Sequence, residues 1–199
     1  MVSPGALPAL GRPLSPAQSA RRARLVDAAY ELAREGSYAA VTIDAVCRRA
    51  GVARATLYHH FSSKDHLIAE AILRWGGEVQ RAMRSAPPAA GDLLERVMAT
   101  IDRVLDAVDR EPNLFAAAMM ALVTPDIGVN ASERQLSTLV AGYLDTIIDP
   151  DGELDTGLLG MVLGHVLFSS LIRMAAGRRK REEVREDVRV TAELALGRL

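Results

Sequence analysis

Apolar residues recur at helical spacing along most of the chain, whereas no stretch alternates apolar and polar residues as a half-buried strand would. The clearest stripe runs from Leu94 to Val108, with apolar positions three or four residues apart. Glycine and proline divide such segments, for example at Pro112 and at the Asp149-Pro150-Asp151-Gly152 turn. The pattern predicts an all-α fold with one helix ending near Gly36, two short helices beside Gly51, and later helices near residues 94–108, 113–123, 136–147, 156–176 and 181–197.

The segment Val41–Leu67 carries the most specific pattern. Thr42 can cap the free backbone amides of a short helix, and Gly51 can adopt the left-handed backbone that a sharp turn needs. The inward positions are expected to form a small shared core: Ile43, Val46, Val52, Leu57 and Phe61. The second helix leaves other side chains largely outward: Arg54, Ala55, Thr56, Tyr58, His59 and His60. Such a pair of helices predicts a helix-turn-helix whose second helix fits the major groove of DNA, which is about 12 Å wide.

Two sets of residues in this region match a known pattern. The first is the run Gly51-Val52-x-Arg54-Ala55-Thr56-Leu57-Tyr58-His59-His60-Phe61-x-x-Lys64-Asp65-x-Leu67. The second lies mainly upstream: Ala28, Ala29, Leu32, Gly36, Tyr38, Thr42, Ile43 and Ala50. Together they resemble the signature of the tetracycline-repressor (TetR) family of one-component regulators. The sequence departs mildly at Cys47, where a small aliphatic residue is usual, and a buried thiol serves there as a small hydrophobe.

The resemblance implies a three-helix DNA-binding head, a long linking helix and a divergent helical body that binds ligands and dimerises. We therefore expect a disordered tail over residues 1–16, a helix-turn-helix DNA-binding domain over 17–64, and a ligand-binding and dimerisation domain over 65–199. The expected partners are double-stranded operator DNA, a second copy of the chain and a small-molecule effector.

The resemblance and the helical geometry together assign roles to individual side chains. Arg54 and Thr56 are the candidates for contacts to base edges, because arginine can bond guanine through two hydrogen bonds and a threonine methyl can meet a thymine methyl. Phosphate contacts are expected from Thr42, Tyr58, His59 and Lys64. The complete predicted DNA-binding set is Thr42, Arg54, Ala55, Thr56, Tyr58, His59 and Lys64. Arg21, Arg22 and Arg24 are expected to flank the DNA backbone nonspecifically.

The distribution of charge supports this interpretation, although the net charge of the whole chain is only −1. Residues 1–64 contain nine basic and four acidic residues, whereas the rest contains 15 basic and 21 acidic residues. A basic head on an acidic body is expected when only one end of a protein meets phosphate.

The segment 157–176 allows two interpretations, because its only formal charge is Arg173. Its length could span a bilayer, and Gly160-x-x-x-Gly164 is a membrane dimer motif. His165, Ser169 and Ser170 argue against a membrane, and small residues equally let two helices approach at a subunit interface. We expect no membrane span but a dimer seam built from the helices near 157–176 and 181–197.

The body is expected to enclose an apolar effector, because no array of charges converges on a polar ligand. Candidate pocket residues are large or adaptable side chains: Met98, Leu105, Phe115, Met119, Met120, Leu122, Tyr143, His165 and Phe168. Core packing is the alternative role for such residues. Residues 113–139 are also loosely similar to the body of actinobacterial repressors of sterol and lipid catabolism, which implies an acyl-CoA-type thioester. The predicted function is a repressor that such a molecule releases from its operator.

Other classes of function find little support. The sequence contains no H-E-x-x-H or G-x-S-x-G motif and no phosphate-binding glycine loop, so we expect no enzyme and no cofactor. His59 and His60 are adjacent, whereas ligands on one helical face need a spacing of three or four, so we expect no metal site. The single cysteine and the lack of a secretory signal fit the cytoplasm. A helical interaction module that does not bind DNA remains the alternative.

Overall fold

The computed structural model describes the backbone of residues 14–85, 91–147 and 156–197, and the side chains of these residues except 139–147 and 156. Within these ranges the chain forms nine helices and no strand, which confirms the predicted all-α fold. The helices are α1 (Pro16–Ala40), α2 (Ile43–Ala50), α3 (Arg54–His60), α4 (Lys64–Ser85), α5 (Leu93–Arg110), α6 (Pro112–Leu122), α7 (Ile127–Ile147), α8 (Thr156–Ala175) and α9 (Arg181–Ala195).

A first apolar core, the head core, holds α1, α2, α3 and the first half of α4 together. Leu57 and Phe61 lie at its centre and are 0% and 1% exposed. The head core also takes in Leu114, Ala117 and Ala121 from α6, which is far away in sequence. Burial of a side chain the size of Leu114 stabilises a fold by about 1.5–3 kcal/mol, so apolar packing helps to fix the head to the rest of the molecule.

A second apolar core, the body core, joins α5, α6, α8 and α9 with Ile72 of α4. Its large buried side chains include Ile101, Leu105, Phe115 and Met119. Because α6 gives one face to the head core and the adjacent face to the body core, this helix is buried on two sides. Any change in the packing of the body core therefore acts directly on a helix that also supports the head.

The helix end predicted near Gly36 corresponds to a kink in α1, where the backbone of Gly36 and Ser37 is not helical. Two helix starts differ from the sequence-based expectation. Helix α1 begins at Pro16, inside the predicted tail, because Ser15 caps it and exchanges hydrogen bonds with Gln18. The rest of that predicted tail, residues 1–13, lies outside the described residues. Helix α7 begins at Ile127, nine residues before the predicted start at Leu136, because the Asp126 carboxylate accepts hydrogen bonds from the first backbone amides.

The start of α7 is bound to the start of α4 by polar contacts, which we call the α4–α7 junction: Ser62, His66, Glu70, Asp126 and Ser132. Ser62 Oγ lies 2.8 Å from Asp126 Oδ1, and Ser132 Oγ lies 2.8 Å from Glu70 Oε1. Gly128 lets the two helices approach closely, since a Cβ at this position would overlap the imidazole ring of His66.

We expect the Gly128→Ala variant to be less stable than the parent protein by about 1–3 kcal/mol, the usual cost of overpacking. The added methyl group has to displace the His66 ring, which is half-buried and held by Ser62. The free energy of unfolding in urea, measured at one fixed protein concentration, tests this expectation.

The Gly77→Ala variant is the matched control, because a Cβ there meets only Arg81 Nη1, at an ordinary 3.8 Å. Alanine is favoured over glycine inside a helix by up to about 1 kcal/mol, so this variant should be at least as stable as the parent. Equal stability of the two variants would contradict the close approach at Gly128.

Candidate nucleic-acid interface

The turn between α2 and α3 has the geometry that the sequence predicts. Thr42 Oγ1 accepts a hydrogen bond from the Ala45 amide at 3.1 Å and so caps α2. Gly51 has φ 65° and ψ 41°, in the left-handed region, and its amide donates to the Cys47 carbonyl. A side chain at Gly51 would be strained in this conformation. The tight turn therefore fixes the angle between the two helices.

The inward faces of α2 and α3 meet in the head core. Val46 and Leu57 are fully buried, and Ile43 and Val52 are half-buried and pack against the same core. Cys47 is buried beside them, and desolvation raises the pKa of its thiol. This thiol therefore behaves as a small apolar group.

Five of the seven predicted DNA-binding residues are exposed on the helix-turn-helix. Arg54, Ala55, Tyr58 and His59 are exposed on α3, and Thr42 is exposed at the start of α2. The exposed fraction of Tyr58 is 55%, which is high for a large aromatic residue. Thr56 is half-buried, so it is less accessible than the sequence predicts. Contacts to DNA from these residues remain a prediction.

Arg54 is held by a carboxylate that the sequence analysis did not single out. Its Nε lies 2.6 Å from Asp44 Oδ1, and its Nη2 lies 2.8 Å from Asp44 Oδ2. The two side chains are 61% and 66% exposed, so solvent screens this ion pair strongly. The pair spans the turn, from the first turn of α2 to the first residue of α3.

Lys64 is turned toward α1 and not simply outward. Its Nζ donates to the Tyr38 carbonyl at 2.8 Å and lies 3.5 Å from the centre of the Tyr38 ring. Desolvation lowers the pKa of Lys64, and burial together with the hydrogen bond to Asp65 raises the pKa of Tyr38 to about 12. An ammonium group has three donors, so a phosphate contact from Lys64 remains a prediction and would share the group with Tyr38.

Other basic residues of the head also have partners within the chain. Arg22 Nη2 lies 2.5 Å from Glu70 Oε2, and the Arg22 guanidinium stacks over Phe61. Arg24 donates to the carbonyl of Ala50. These contacts fix Arg22 and Arg24 against the head rather than leaving them fully free for the DNA backbone. Each acid within residues 1–64 pairs with an arginine: Asp27 with Arg74, Glu31 with Arg34, Glu35 with Arg49 and Asp44 with Arg54.

The histidines of this region differ in their surroundings. The rings of His59 and His60 meet edge to face with centroids 5.3 Å apart, so they lie closer together than a simple helical projection predicts. Desolvation lowers the pKa of His60 and of His66. His66 Nδ1 accepts a hydrogen bond from the Ser62 amide at 3.2 Å, which requires an unprotonated Nδ1. Among the described residues, no group of three His, Cys, Asp or Glu side chains is arranged to hold a metal ion.

The candidate pocket residues separate into two groups. Met98, Leu105, Phe115 and Met119 are buried, and Leu122 is half-buried against the body core. Met120, His165 and Phe168 are exposed instead. Helical spacing predicted an apolar face but did not reveal which face is covered, so these three positions are corrected to surface positions of the single chain. The side chain of Tyr143 lies outside the described residues.

Helix α8 presents an apolar surface to solvent. Four of its large apolar side chains are exposed by 36–58%: Leu158, Met161, Val162 and Phe168. The stretch Gly157–Ala175 is long and apolar enough to cross a membrane by length and composition, a property that a helix of a soluble protein can share. The surface formed by these four residues is called the α8 face below.

Comparisons with known proteins agree with this geometry. The family model "Bacterial regulatory proteins, tetR family" matches residues 25–71, and the model "Tetracyclin repressor-like, C-terminal domain" matches residues 91–195. The HTH-type transcriptional repressor KstR of Rhodococcus jostii (strain RHA1) is 32% identical over 185 residues, which are 92% of this chain and 86% of that protein. This match agrees with the similarity of residues 113–139 to actinobacterial repressors of sterol and lipid catabolism.

Solved structures share the fold. The crystal structure of a TetR transcriptional regulator from Rhodococcus sp. RHA1 superposes with a TM-score of 0.73 at 24% identity, over 92% of this chain and 99% of that one. Thermus thermophilus FadR, a TetR-family repressor crystallised with lauroyl-CoA, superposes with a TM-score of 0.65 at 20% identity, over 89% of this chain and 94% of that one. The second family model alone spans more than half of the chain. The chain therefore belongs to the TetR family, and it is a DNA-binding transcription regulator of the helix-turn-helix type.

Proposed function

We propose that the protein is a homodimeric cytoplasmic repressor that leaves its operator when an apolar small molecule binds in the body. The observation that carries this proposal is the position of α6 between the two cores. Phe115 and Met119 face the body core, and Leu114 and Ala117 face the head core. A ligand that displaces the first pair moves the second pair, because packed interiors transmit small displacements.

The proposed ligand class is a lipid-like thioester. The buried candidates Leu105, Phe115 and Met119 offer apolar and adaptable side chains, which suit an acyl chain better than a polar ligand. Thermus thermophilus FadR, which shares this fold, was crystallised in complex with lauroyl-CoA. Release of DNA then requires that the ligand binds one conformation more tightly than the other, and the size of the response equals that difference in affinity.

The proposed dimer seam includes the α8 face. One helix-turn-helix contacts only a few base pairs, so two heads about 34–36 Å apart have to be joined by a stable interface. The α8 face exposes large apolar side chains such as Met161 and Phe168, and Leu194 on α9 is 62% exposed. Gly164 has open space around its Cβ position, which leaves room for a second helix. Covering this surface with a second copy removes apolar area from water.

We expect the Arg54→Ala variant to lose about ten- to a hundredfold in affinity for the preferred operator and less for a random duplex, because arginine bonded to a guanine contributes mainly to specificity. Binding curves at several salt concentrations measure both affinities. Arg49→Ala is the control, since it removes the same charge from an exposed ion pair that joins α2 to α1. Equal losses of affinity for both duplexes would show that Arg54 contacts the DNA backbone. If the parent protein shows no salt-dependent binding to DNA, the alternative of a helical interaction module that does not bind DNA is favoured.

The Met161→Lys variant should dissociate at micromolar concentration, because a buried lysine at the seam carries a large desolvation cost. Sedimentation velocity measures the oligomeric state, and circular dichroism confirms that the helices remain. Met120→Lys is the control, because Met120 is exposed to the same degree, 55% against 52%, but lies on α6. If only the Met120→Lys control dissociates, the dimer interface lies on α6 instead. A parent protein that needs detergent to stay in solution would support a membrane contact of α8.

A long-chain acyl-CoA should raise the melting temperature and release the operator, whereas CoA without an acyl chain should do neither. A ligand at a hundred times its Kd stabilises a protein by about 2.7 kcal/mol. Differential scanning fluorimetry and gel shifts read the two effects. Met119→Ala should weaken both, and the adjacent exposed Met120→Ala should not. Stabilisation without release of DNA would contradict the proposed coupling through α6.

A further inference from the structure

The ion pair between Asp44 and Arg54 leaves one edge of the guanidinium available. A guanidinium carries five N–H donors in one plane. Asp44 accepts from Nε and from one hydrogen of Nη2, at 2.6 Å and 2.8 Å. Both donors of Nη1 and the second donor of Nη2 have no partner among the described residues. These remaining donors form the end of the guanidinium fork, which matches the N7 and O6 acceptors of guanine.

The pair also controls charge at this point of the surface. Arg54 by itself would attract any phosphate, because a phosphate carries a full negative charge. With Asp44 beside it the two side chains have no net charge, and a phosphate that approaches Arg54 also meets the carboxylate. The edge of a guanine is neutral and is repelled much less. The Asp44 carboxylate therefore disfavours a phosphate at Arg54 more than it disfavours a guanine. Such a repulsive element increases specificity.

The location of the pair gives it a role beyond local stability. Arg54 is the first residue of α3, and Asp44 lies in the first turn of α2. Both side chains are about two-thirds exposed, at 61% and 66%. Exposed ion pairs contribute little to folding. This pair contributes little to stability, but Asp44 lies two residues after the exposed Thr42 and Arg54 lies one helical turn before the exposed Tyr58, and the two hydrogen bonds restrict the orientation of the arginine.

We propose that Asp44 is a specificity-determining positioning residue, which holds Arg54 through its Nε edge so that the end of the guanidinium contacts a guanine and not a phosphate. This inference rests on the proposed DNA contact of Arg54. It assigns to Asp44 an action through Arg54, without a direct contact to the operator.

The test is selection of bound sequences from a randomised duplex library by the full-length parent protein and by three variants: Asp44→Asn, Arg54→Ala and the double variant. Asn has the same shape as Asp but lacks the charge. The affinity of each protein for the duplex that the parent selects and for a scrambled duplex is then measured over a range of salt concentrations.

We expect Asp44→Asn to bind the scrambled duplex more tightly and the selected duplex no more tightly, so that the ratio of the two affinities falls about tenfold. Its salt dependence on the scrambled duplex should steepen by about 0.9 in logarithmic slope, the value for one added phosphate contact. The guanine that Arg54 selects in each half-site should become weaker in the Asp44→Asn selection. In the Arg54→Ala background, the Asn substitution should leave the ratio unchanged.

Glu35→Gln is the matched control, because Glu35 holds Arg49 in a similar two-bond pair, at 3.0 Å and 2.8 Å, away from α3. This variant removes the same charge from the head, so it should raise both affinities in parallel and leave the ratio unchanged.

Any one of four results would overturn the inference. One is an Asp44→Asn variant whose ratio matches that of Glu35→Gln, since the carboxylate would then act only through net charge. Another is an equal effect of the Asn substitution with and without Arg54. A third is a parent protein that selects no sequence at all, in which case the proposed operator contact itself fails. The fourth is an Asp44→Asn variant that selects the same sequence as the parent and Glu35→Gln, with an equally strong preference for the guanine. In that case only the role of Asp44 fails.

Discussion

A helix of seven residues cannot maintain its own orientation in water, and this constraint governs the DNA-binding end of the molecule. Isolated helices shorter than about 12 residues are marginal, and α3 has seven residues. Its direction is therefore set by Leu57 and Phe61, which anchor it in the head core. Every side chain that α3 presents to solvent, including Arg54 and Tyr58, depends on that anchoring.

The head core is completed by a helix that belongs to the body. Leu114 and Ala117 of α6 belong to the head core, where α6 packs against α1 and α4, and Phe115 on the adjacent face of α6 lies in the body core. The ligand that we propose for the body would therefore act on a helix that also packs in the head core. In the proposed response to a ligand, this shared helix carries a change in the body core to the head core.

The sequence predicted the features that depend on neighbouring residues, such as caps and turns. It did not predict the contacts between helices that are distant in sequence. Thr42 and Gly51 act within their own turn, so their roles were readable from neighbouring residues. The first nine residues of α7 were missed because the run from Asn130 to Gln135 is polar, and its stabilisation by Asp126 depends on a cap that precedes the helix. The pair of Asp44 with Arg54, like the exposure of Met120, follows from the packing of separate helices, which periodicity along one helix does not encode.

A second connection between head and body is polar, and it complements the apolar one through α6. Helix α7 packs against both α8 and α4, so it lies on the path from the α8 face to the head. At the end of that path Asp126 accepts a hydrogen bond from Ser62, directly after α3. Hydrogen bonds require a narrow range of distance and angle, so this contact fixes the direction in which α4 and α7 meet. If the dimer seam lies on α8 as we propose, helix α7 and the α4–α7 junction connect that seam to the head, and they complement the proposed response of α6 to a ligand.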